Sequence, residues 1–328
     1  MVLAAATYGY AAEREARTKH QAAVEFTKRK TDLLWRAPND IASRNMFYGP
    51  GGREHQPGHI FRFVKEDLTG SNPKFVVQDE TGQKWKVKLG EEAKPETVAS
   101  RLVWGVGYFA DEDYFLPDLQ VMGLVGHLSR GWDLVAADGL VHNARLKREI
   151  KNREKTGVWH WRRNPFSGTR ELNGLRVMMA LTNNWDLKDD NNAAYEVGSG
   201  RVFLVSDLGA SFGSGGPSLS KRRSKGNPGL FVHSKFITKV APDHVDFGDP
   251  APPPVIYLFT PWRYVQRMRL VSIGKHIPRA DAKWTGHLLA QLSQEQIRDA
   301  FRAAGYSPAE VDEFTEVVKN RIAQLEAL

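Results

Sequence analysis

Residues 61–96, FRFVKEDLTGSNPKFVVQDETGQKWKVKLGEEAKPE, decide the fold class of this chain. Three segments in this stretch, FRFV, KFVVQD and KWKVKL, alternate apolar and polar residues with a period of two, and the turn sequences TGSNP and ETGQ separate them. We therefore predict a three-stranded antiparallel meander. Pro95 and Glu96 follow it and open a helical run, because proline fits the first turn of a helix.

Two further strand-like segments, DYFLPDLQV and LVHNARLKRE, follow the predicted helix. We expect residues 46–150 to form one β-rich unit with a single helix, after a lead-in segment at 1–45. Residues 151–328 contain a predicted helix and, near the C-terminus, two capping boxes at 293–296 and 307–310. The expected fold class is α+β, with a β-rich front unit and a mostly helical back unit.

The composition is that of a globular protein and excludes several classes of site. The 328 residues are 41% hydrophobic and 26% charged, which rules out a chain that is disordered throughout. The absence of cysteine excludes disulfides, thiolate nucleophiles and iron–sulfur clusters. A net charge of +8 suggests an anionic partner without naming it.

No segment predicts a membrane span, because none approaches the roughly 18–20 consecutive apolar residues that a spanning helix needs. The N-terminal residues 1–12, MVLAAATYGYAA, fit either the remnant of an export signal or an ordinary terminus. The sequence therefore leaves the compartment unknown, cytoplasmic or exported.

Polar residues that suit phosphoryl transfer occur in a suggestive order along the chain. Lys88 ends the third strand of the meander, and Glu96 lies in the first turn of the next helix. The loop DLKDDN, residues 186–191, follows an apolar helix, and DLG at 207–209 ends an apolar strand. Phosphoryl transfer needs a cation on the phosphates, oxygen ligands for magnesium and a carboxylate that accepts a proton.

These motifs resemble those of the protein-kinase-like superfamily. Lys88 in VKL is similar to the lysine of the kinase V-A-I-K motif, and DLKDDN and DLG are similar to the catalytic loop and to D-F-G. The spacing of Asn184, Asp186 and Asn191 also resembles HipA-like toxin kinases and phosphatidylinositol kinases, as does the short turn TGSNPK. The resemblance covers residues 61–213.

The resemblance implies a two-lobed fold in which ATP binds in the cleft between the lobes. By this resemblance Lys88 would hold the α- and β-phosphates, and Glu96 would pair with Lys88. Gly70 and Ser71 would lie over the phosphates with their backbone N–H groups.

The same resemblance implies roles for residues in the second half of the motif set. Asp186 would be the catalytic base, and Lys188 would contact the γ-phosphate. Asn191 and Asp207 would hold Mg²⁺.

The sequence also departs from the protein-kinase pattern. Asn-Trp at 184–185 replaces the usual His-Arg, and there is no A-P-E motif. Asn192 follows Asn191, so either could be the metal ligand. Lys86 lies on the same strand face as Lys88 and could substitute for it.

Each motif alone has an ordinary structural explanation, such as a solvent-facing lysine or an asparagine-rich turn; their common order favours a site. A G-x-S-x-G motif at 209–213 follows a predicted strand, as a hydrolase nucleophile would, but the sequence after it does not suit a helix. His55 and His59 flank Pro57-Gly58, which argues against a metal pair on one helical face.

Two basic runs account for much of the positive charge. Residues 145–163 hold eight Lys or Arg against two Glu, and KRRSK at 221–225 adds a second cluster. Both could simply be solvated surfaces. The second run lies where a kinase activation segment would lie and could contact an acidic substrate. We do not expect a nucleic-acid partner, because no binding motif accompanies the charge.

We therefore predict an ATP- and Mg²⁺-dependent phosphotransferase, an atypical kinase, that acts on a hydroxyl group, more readily on a protein than on a lipid or a small molecule. The alternative is a catalytically inactive nucleotide-binding scaffold that uses its basic surface. A basic nucleic-acid binder is the third interpretation, and its affinity would fall steeply with salt. The sequence does not identify the acceptor, the oligomeric state or the regulation.

Overall fold

The computed structural model describes residues 26–70, 72–214, 224–248 and 261–328. Ser71 lies outside the described residues, and so does the N-terminal stretch 1–12 with its candidate export signal. The same holds for the first three residues of the basic run 221–225.

The strands of the described residues are short and are distributed along the whole chain. They are β1 (Asp32–Leu33), β2 (Phe61–Glu66), β3 (Lys74–Asp79), β4 (Lys84–Lys88), β5 (Asp113–Met122), β6 (Leu140–Arg148), β7 (Glu154–Gly157), β8 (Asn192–Val197), β9 (Gly200–Val205), β10 (Ile237–Val240), β11 (His244–Phe247) and β12 (Ile277–Pro278). The helices are α1 (Ala93–Gly105), α2 (Arg170–Leu181), α3 (Pro228–Val232), α4 (Pro261–Val271), α5 (Arg279–Leu289), α6 (Gln294–Arg302) and α7 (Pro308–Glu326). The predicted α+β class is confirmed.

The predicted meander is present and forms part of a closed five-stranded barrel with the strand order β2-β3-β4-β6-β5. Parallel pairing of Phe61 with Val121 closes the barrel between β2 and β5. Alternate residues of the strands, among them Phe75, Val87 and Leu146, fill its interior. The period-two pattern in the sequence therefore marks the inward face of this barrel.

Helix α1 lies between the barrel and the rest of the molecule. It contacts β5 and β6 of the barrel and also α6 near the C-terminus. Val98, Leu102 and Val103 are buried in the larger hydrophobic core, together with residues of the C-terminal helices. The helix predicted within the front unit therefore joins the two cores, and the boundaries proposed at 45/46 and 150/151 stay predictions.

The back of the molecule contains the predicted helices and also two small sheets. The capping boxes of α6 and α7 are both formed, with Ser293 and Ser307 as the N-cap residues. One sheet has the order β1-β9-β8-β7 and the other the order β10-β11-β12. These sheets lie beside the helices, and the description "mostly helical" stays a prediction. Several of these strands have only two to four residues, too few to show a period in the sequence.

Strand β1 is an edge strand from the start of the chain. It pairs in parallel with β9, where Asp32 lies opposite Arg201. The Arg201 guanidinium donates to both carboxylate oxygens of Asp32, at 2.8 and 2.7 Å. Strand β1 is thereby fixed to the strand that leads to Asp207.

Among the described residues, no helix combines the length and the apolar character that crossing a membrane requires.

Candidate active site

Three carboxylates surround the ammonium group of Lys88. The Lys88 Nζ lies 2.7 Å from Glu96 Oε2, 2.9 Å from Asp207 Oδ1 and 3.0 Å from Glu92 Oε2. Lys88 is only 2% exposed and Glu96 only 1%. The structure therefore brings together three residues that the sequence had selected, and it adds Glu92.

The local structure explains why these groups meet. Lys88 is the last residue of β4, and Glu92 directly precedes α1. Glu96 lies one turn further along the same helix face. A helix N-terminus favours negative charge, so both glutamates are well placed there. The spacing of four residues from Lys88 to Glu92, and again to Glu96, is the signal that could have identified Glu92.

The cluster keeps Lys88 and Asp207 ionised. Burial alone would lower the pKa of Lys88, but the carboxylates of Asp207, Glu96 and Glu92 outweigh it and raise that pKa well above its usual value. Burial alone would raise the pKa of Asp207, but the Lys88 ammonium holds it far below its usual range. Asp207 is therefore a carboxylate at neutral pH.

Arg145 of β6 provides a second cation at the same place. Its guanidinium lies 3.1 Å from Glu96 Oε1 and 3.5 Å from Asp113 Oδ1. Glu96 is thus held between Lys88 and Arg145. Burial is the main influence on Asp113 and raises its pKa to about 6, against the opposing effect of Arg145.

Asp111 is the centre of a second buried ion-pair group. Its carboxylate lies 2.9 Å from Lys147 Nζ, 3.3 Å from an Arg153 nitrogen and 2.7 Å from Ser206 Oγ, which donates to it. Because Ser206 directly precedes Asp207, this group fixes the chain on which Asp207 is carried.

Asp111→Asn should therefore destabilise the protein in a pH-dependent way. Burial would raise the pKa of Asp111, but Lys147 and Arg153 lower it to about 2. A carboxyl with a lowered pKa stabilises the fold by about 2 kcal/mol at neutral pH, and that contribution is lost as the pH falls through about 4 and then 2.

Urea unfolding at pH 7 and pH 3 would test this, with the exposed Asp118→Asn as the control. Asp111→Asn should lower the free energy of unfolding at both pH values, and we expect this deficit to be smaller by about 1 kcal/mol at pH 3 than at pH 7. An equal deficit at both pH values would contradict the assignment.

The loop that contains Asp186 is held by its own side chains. Asn184 Oδ1 accepts a hydrogen bond from the Asp186 backbone N–H at 3.0 Å. Asn191 Nδ2 donates to the Asp186 backbone carbonyl. Lys188 Nζ lies 2.8 Å from Asp186 Oδ1 and is half exposed. Asp186 and Lys188, both predicted as catalytic, are therefore neighbours at an accessible position.

Asn191 connects this loop to Asp207. Its backbone carbonyl accepts hydrogen bonds from the N–H groups of Ser206 at 2.7 Å and Asp207 at 3.2 Å. Asn192, the alternative ligand, is buried and donates from Nδ2 to the Trp159 carbonyl at 2.8 Å. The geometry therefore favours Asn191 over Asn192 as the partner of Asp207.

The turn between β2 and β3 lies beside the carboxylate cluster. Gly70 has a positive φ of 68°, a conformation that glycine adopts without strain. Its carbonyl accepts a hydrogen bond from Arg130 at 2.6 Å. Asn72, two residues later, donates from Nδ2 to Glu92 Oε2 at 2.5 Å. Asn72 thus links the turn to the cluster, and the sequence did not single it out.

Lys86, the possible substitute for Lys88, is placed differently. Its side chain is 47% exposed, and its ammonium lies 4.0 Å from Glu149. The geometry therefore favours Lys88.

Residues 224–227 return to the same cluster. Lys225 Nζ lies 2.5 Å from Glu92 Oε1. The backbone N–H groups of Gly226 and Asn227 donate to the carbonyls of Ser211 and Phe212, at 2.9 and 2.7 Å. Glu92 therefore has a lysine on each side, Lys88 from the barrel and Lys225 from far along the chain.

The alternative motifs find no support in the geometry. Ser211, the centre of G-x-S-x-G, is completely buried, so its hydroxyl cannot meet a substrate. His55 Nδ1 pairs with Glu112 at 2.9 Å, and the His59 backbone N–H donates to Glu80 at 3.0 Å. Neither histidine belongs to a potential metal-ligand group among the described residues.

The basic run 145–163 is only partly a surface. Arg145, Lys147 and Arg153 are directed into the site and form ion pairs with its carboxylates. These side chains are 3%, 17% and 13% exposed. A considerable part of this charge therefore neutralises buried acids, which the sequence alone could not show.

No family model matches the sequence, and no curated protein matches it significantly. Among solved structures, the chain is similar to the Helicobacter pylori proinflammatory kinase CtkA, with 10% identity and a TM-score of 0.43 over 83% of this chain and 98% of that one. It is similar to the Golgi casein kinase with Mn/ADP bound, with 9% identity and a TM-score of 0.42 over 83% and 72% of the two chains. Another structure of the Golgi casein kinase gives 10% identity and a TM-score of 0.31 over 86% and 77%. All three structures are of kinases.

Proposed function

We propose that this chain is a kinase-like phosphotransferase that uses ATP and Mg²⁺ and transfers the γ-phosphate to a hydroxyl group of a protein. One observation carries the proposal. The Lys88 ammonium forms ion pairs with Glu96 and Asp207, and Asn191 forms hydrogen bonds with the backbones of both Asp207 and Asp186. The narrower likeness to HipA-like and phosphatidylinositol kinases remains a prediction.

The donor set fits a magnesium ion. Asp207 offers an ionised carboxylate, and Asn191 uses its Nδ2 on the Asp186 carbonyl, which leaves the Asn191 Oδ1 as a ligand atom. Both are hard oxygen donors of the kind that Mg²⁺ prefers. When bound, the ion would neutralise charge on the phosphates.

The other residues of the site would each have a separate role in the transfer. Lys88 would hold the α- and β-phosphates, with its position fixed by Glu96. Asp186 would accept the proton as the acceptor oxygen attacks the γ-phosphorus and the bond to the β-phosphate oxygen breaks. Lys188 would contact the γ-phosphate, and the turn at Gly70 and Ser71 would cover the nucleotide. The preference for ATP and for a protein acceptor rests on the sequence resemblance.

Asp186→Ala tests the assignment of the base. We expect a loss of roughly 10²–10⁴-fold in the rate of transfer, because a positioned base contributes about that much. Binding of ATP should be nearly unchanged, since the other nucleotide contacts remain. The measurement is the transfer of labelled γ-phosphate, with Asp190→Asn from the same loop as the active control. Full activity of Asp186→Ala would overturn the role.

One observation favours the alternative of an inactive nucleotide-binding scaffold. Glu92 occupies a position on the Lys88 ammonium that a phosphate oxygen would need, and Lys225 holds Glu92 there. In an inactive scaffold, ATP would raise the melting temperature without any transfer of labelled phosphate.

A further inference from the structure

Two histidines and an aspartate meet on the small β10–β12 sheet, outside the cluster around Lys88. In β11, Val245 and Phe247 are completely buried, whereas His244 and Asp246 occupy the opposite face of the strand. The antiparallel register pairs Val245 with Ile277, so His276 lies next to Asp246 across the ladder. The sheet therefore places His244, Asp246 and His276 side by side.

The three side chains already converge. One potential ligand atom from each residue lies within 4.8 Å of the other two. The two imidazole rings are stacked, with centroids 4.9 Å apart and planes at 25°. Zinc–nitrogen and zinc–oxygen bonds are about 2.0–2.2 Å, so two ligands of one ion lie at most about 4.4 Å apart. Small rotations, above all of the exposed His276, would bring them to that range.

The surrounding contacts orient two of the three groups. His244 Nδ1 lies 2.8 Å from the Asp243 carboxylate. Its other nitrogen, Nε2, is buried and has no hydrogen-bond partner among the described residues. The His276 backbone N–H donates to Asp246 Oδ1 at 2.7 Å, and His276 has a positive φ of 53°. A carboxylate on one imidazole nitrogen and a free second nitrogen is the arrangement that metal-ligating histidines usually show.

We propose that His244, Asp246 and His276 bind a zinc ion. Two imidazole nitrogens and a carboxylate oxygen form a donor set that suits Zn²⁺, and three protein ligands leave a fourth position for water or an external group. Asp243 is a positioning residue that acts through His244. The ion would bind ring-edge nitrogens of the two imidazoles, His244 Nε2 among them, which has no hydrogen-bond partner among the described residues.

The simpler explanation is that Asp243 and Asp246 only stabilise the local backbone and side chains around His244 and His276. Burial would raise the pKa of Asp246, but the hydrogen bond from the His276 backbone N–H lowers it, with a smaller contribution from Lys275. In that case the protein would bind no zinc at this place, and the two explanations predict opposite results.

Zinc binding to the full-length, tag-free protein stripped with a chelator tests the proposal. We expect one Zn²⁺ per chain in competition with a chromogenic chelator, and visible absorption of a tetrahedral site when Co²⁺ replaces it. His244→Ala and His276→Ala should each weaken zinc binding by about 100-fold or more, and Asp243→Asn by about 10–100-fold. His142→Ala is the matched control, since His142 lies 2.5 Å from Asp118 and belongs to no potential metal-ligand group among the described residues.

Melting temperatures of the metal-free proteins distinguish a loss of zinc binding from a general loss of stability caused by the substitutions. Without zinc, Asp246→Asn should melt near the wild-type temperature, because an asparagine oxygen can still accept from the His276 backbone. With zinc, the wild type and His142→Ala should gain the most thermal stability. Wild-type protein without stoichiometric zinc binding would overturn the proposal, and so would zinc binding in both histidine variants that is as tight as in the wild type.

Discussion

Asp207→Ala is expected to abolish phosphoryl transfer and the magnesium-dependent binding of ATP together. Asp207 is the ionised carboxylate of the proposed metal site and one of the three partners of Lys88. Its loss would remove several kcal/mol of charge stabilisation, or roughly 10⁴-fold or more in rate. The measurement is a thermal-shift titration with ATP and Mg²⁺, with labelled γ-phosphate followed in parallel.

The fold of Asp207→Ala should survive, because Glu92 and Glu96 still neutralise Lys88. The exposed Asp118→Ala is the control and should keep both the thermal shift and the transfer. Turnover at the wild-type rate in Asp207→Ala would contradict the proposed function. If the wild-type protein shows neither a thermal shift with ATP and Mg²⁺ nor transfer of labelled phosphate, the proposed function is wrong and the basic surface becomes the next candidate for a binding site.

Lys88→Met should impair both activity and stability. Its side chain is 3% exposed and its ammonium contacts three carboxylates, so its removal leaves buried negative charge without its main partner. Breaking a buried ion pair in this way costs about 3–5 kcal/mol. Transfer should fall to background, because the proposed phosphate contact is lost as well.

The stability deficit of Lys88→Met should also depend on pH. Without the ammonium, burial and mutual repulsion would raise the pKa values of Glu92 and Asp207, against the remaining effects of Lys225 on Glu92 and of Arg145 on Asp207. A carboxyl with a raised pKa favours the folded state at low pH and loses that advantage as the pH rises. Urea unfolding should therefore give a larger deficit at pH 8 than at pH 5.5.

Lys86→Met is the matched control, since it removes an exposed lysine from the same strand face. We expect its stability to change by less than about 0.5 kcal/mol and its activity to be retained. Loss of activity in Lys86→Met with retention in Lys88→Met would reverse the assignment of the two lysines.

The sequence predicted the parts of this molecule whose signals are local. Alternation of apolar residues located β2, β3 and β4, and the S-x-x-Q and S-P-A-E patterns located the starts of α6 and α7. Lys88 and Glu96 could be selected because their spacing relative to the strand and helix matches a known motif. Such features depend on neighbours within a few residues along the chain.

The sequence could not predict contacts between residues that are distant along the chain. Arg145 reaches Glu96 from 49 residues away, and Lys225 reaches Glu92 from 133 residues away. Nothing in the basic run 145–163 distinguishes lysines and arginines that enter the site from those that face solvent. The same limit applies to the pairing of β1 with β9.

That pairing bears on when the site can form during folding. Asp32 and Arg201 are separated by 169 residues, and the whole barrel lies between them in the chain. Closing so long a loop costs entropy before the contact is gained, and contacts of this range slow folding. During synthesis, β1 must wait for β9 to emerge before it has a partner. The strand that leads to Asp207 therefore acquires its outer neighbour as a late, non-local event.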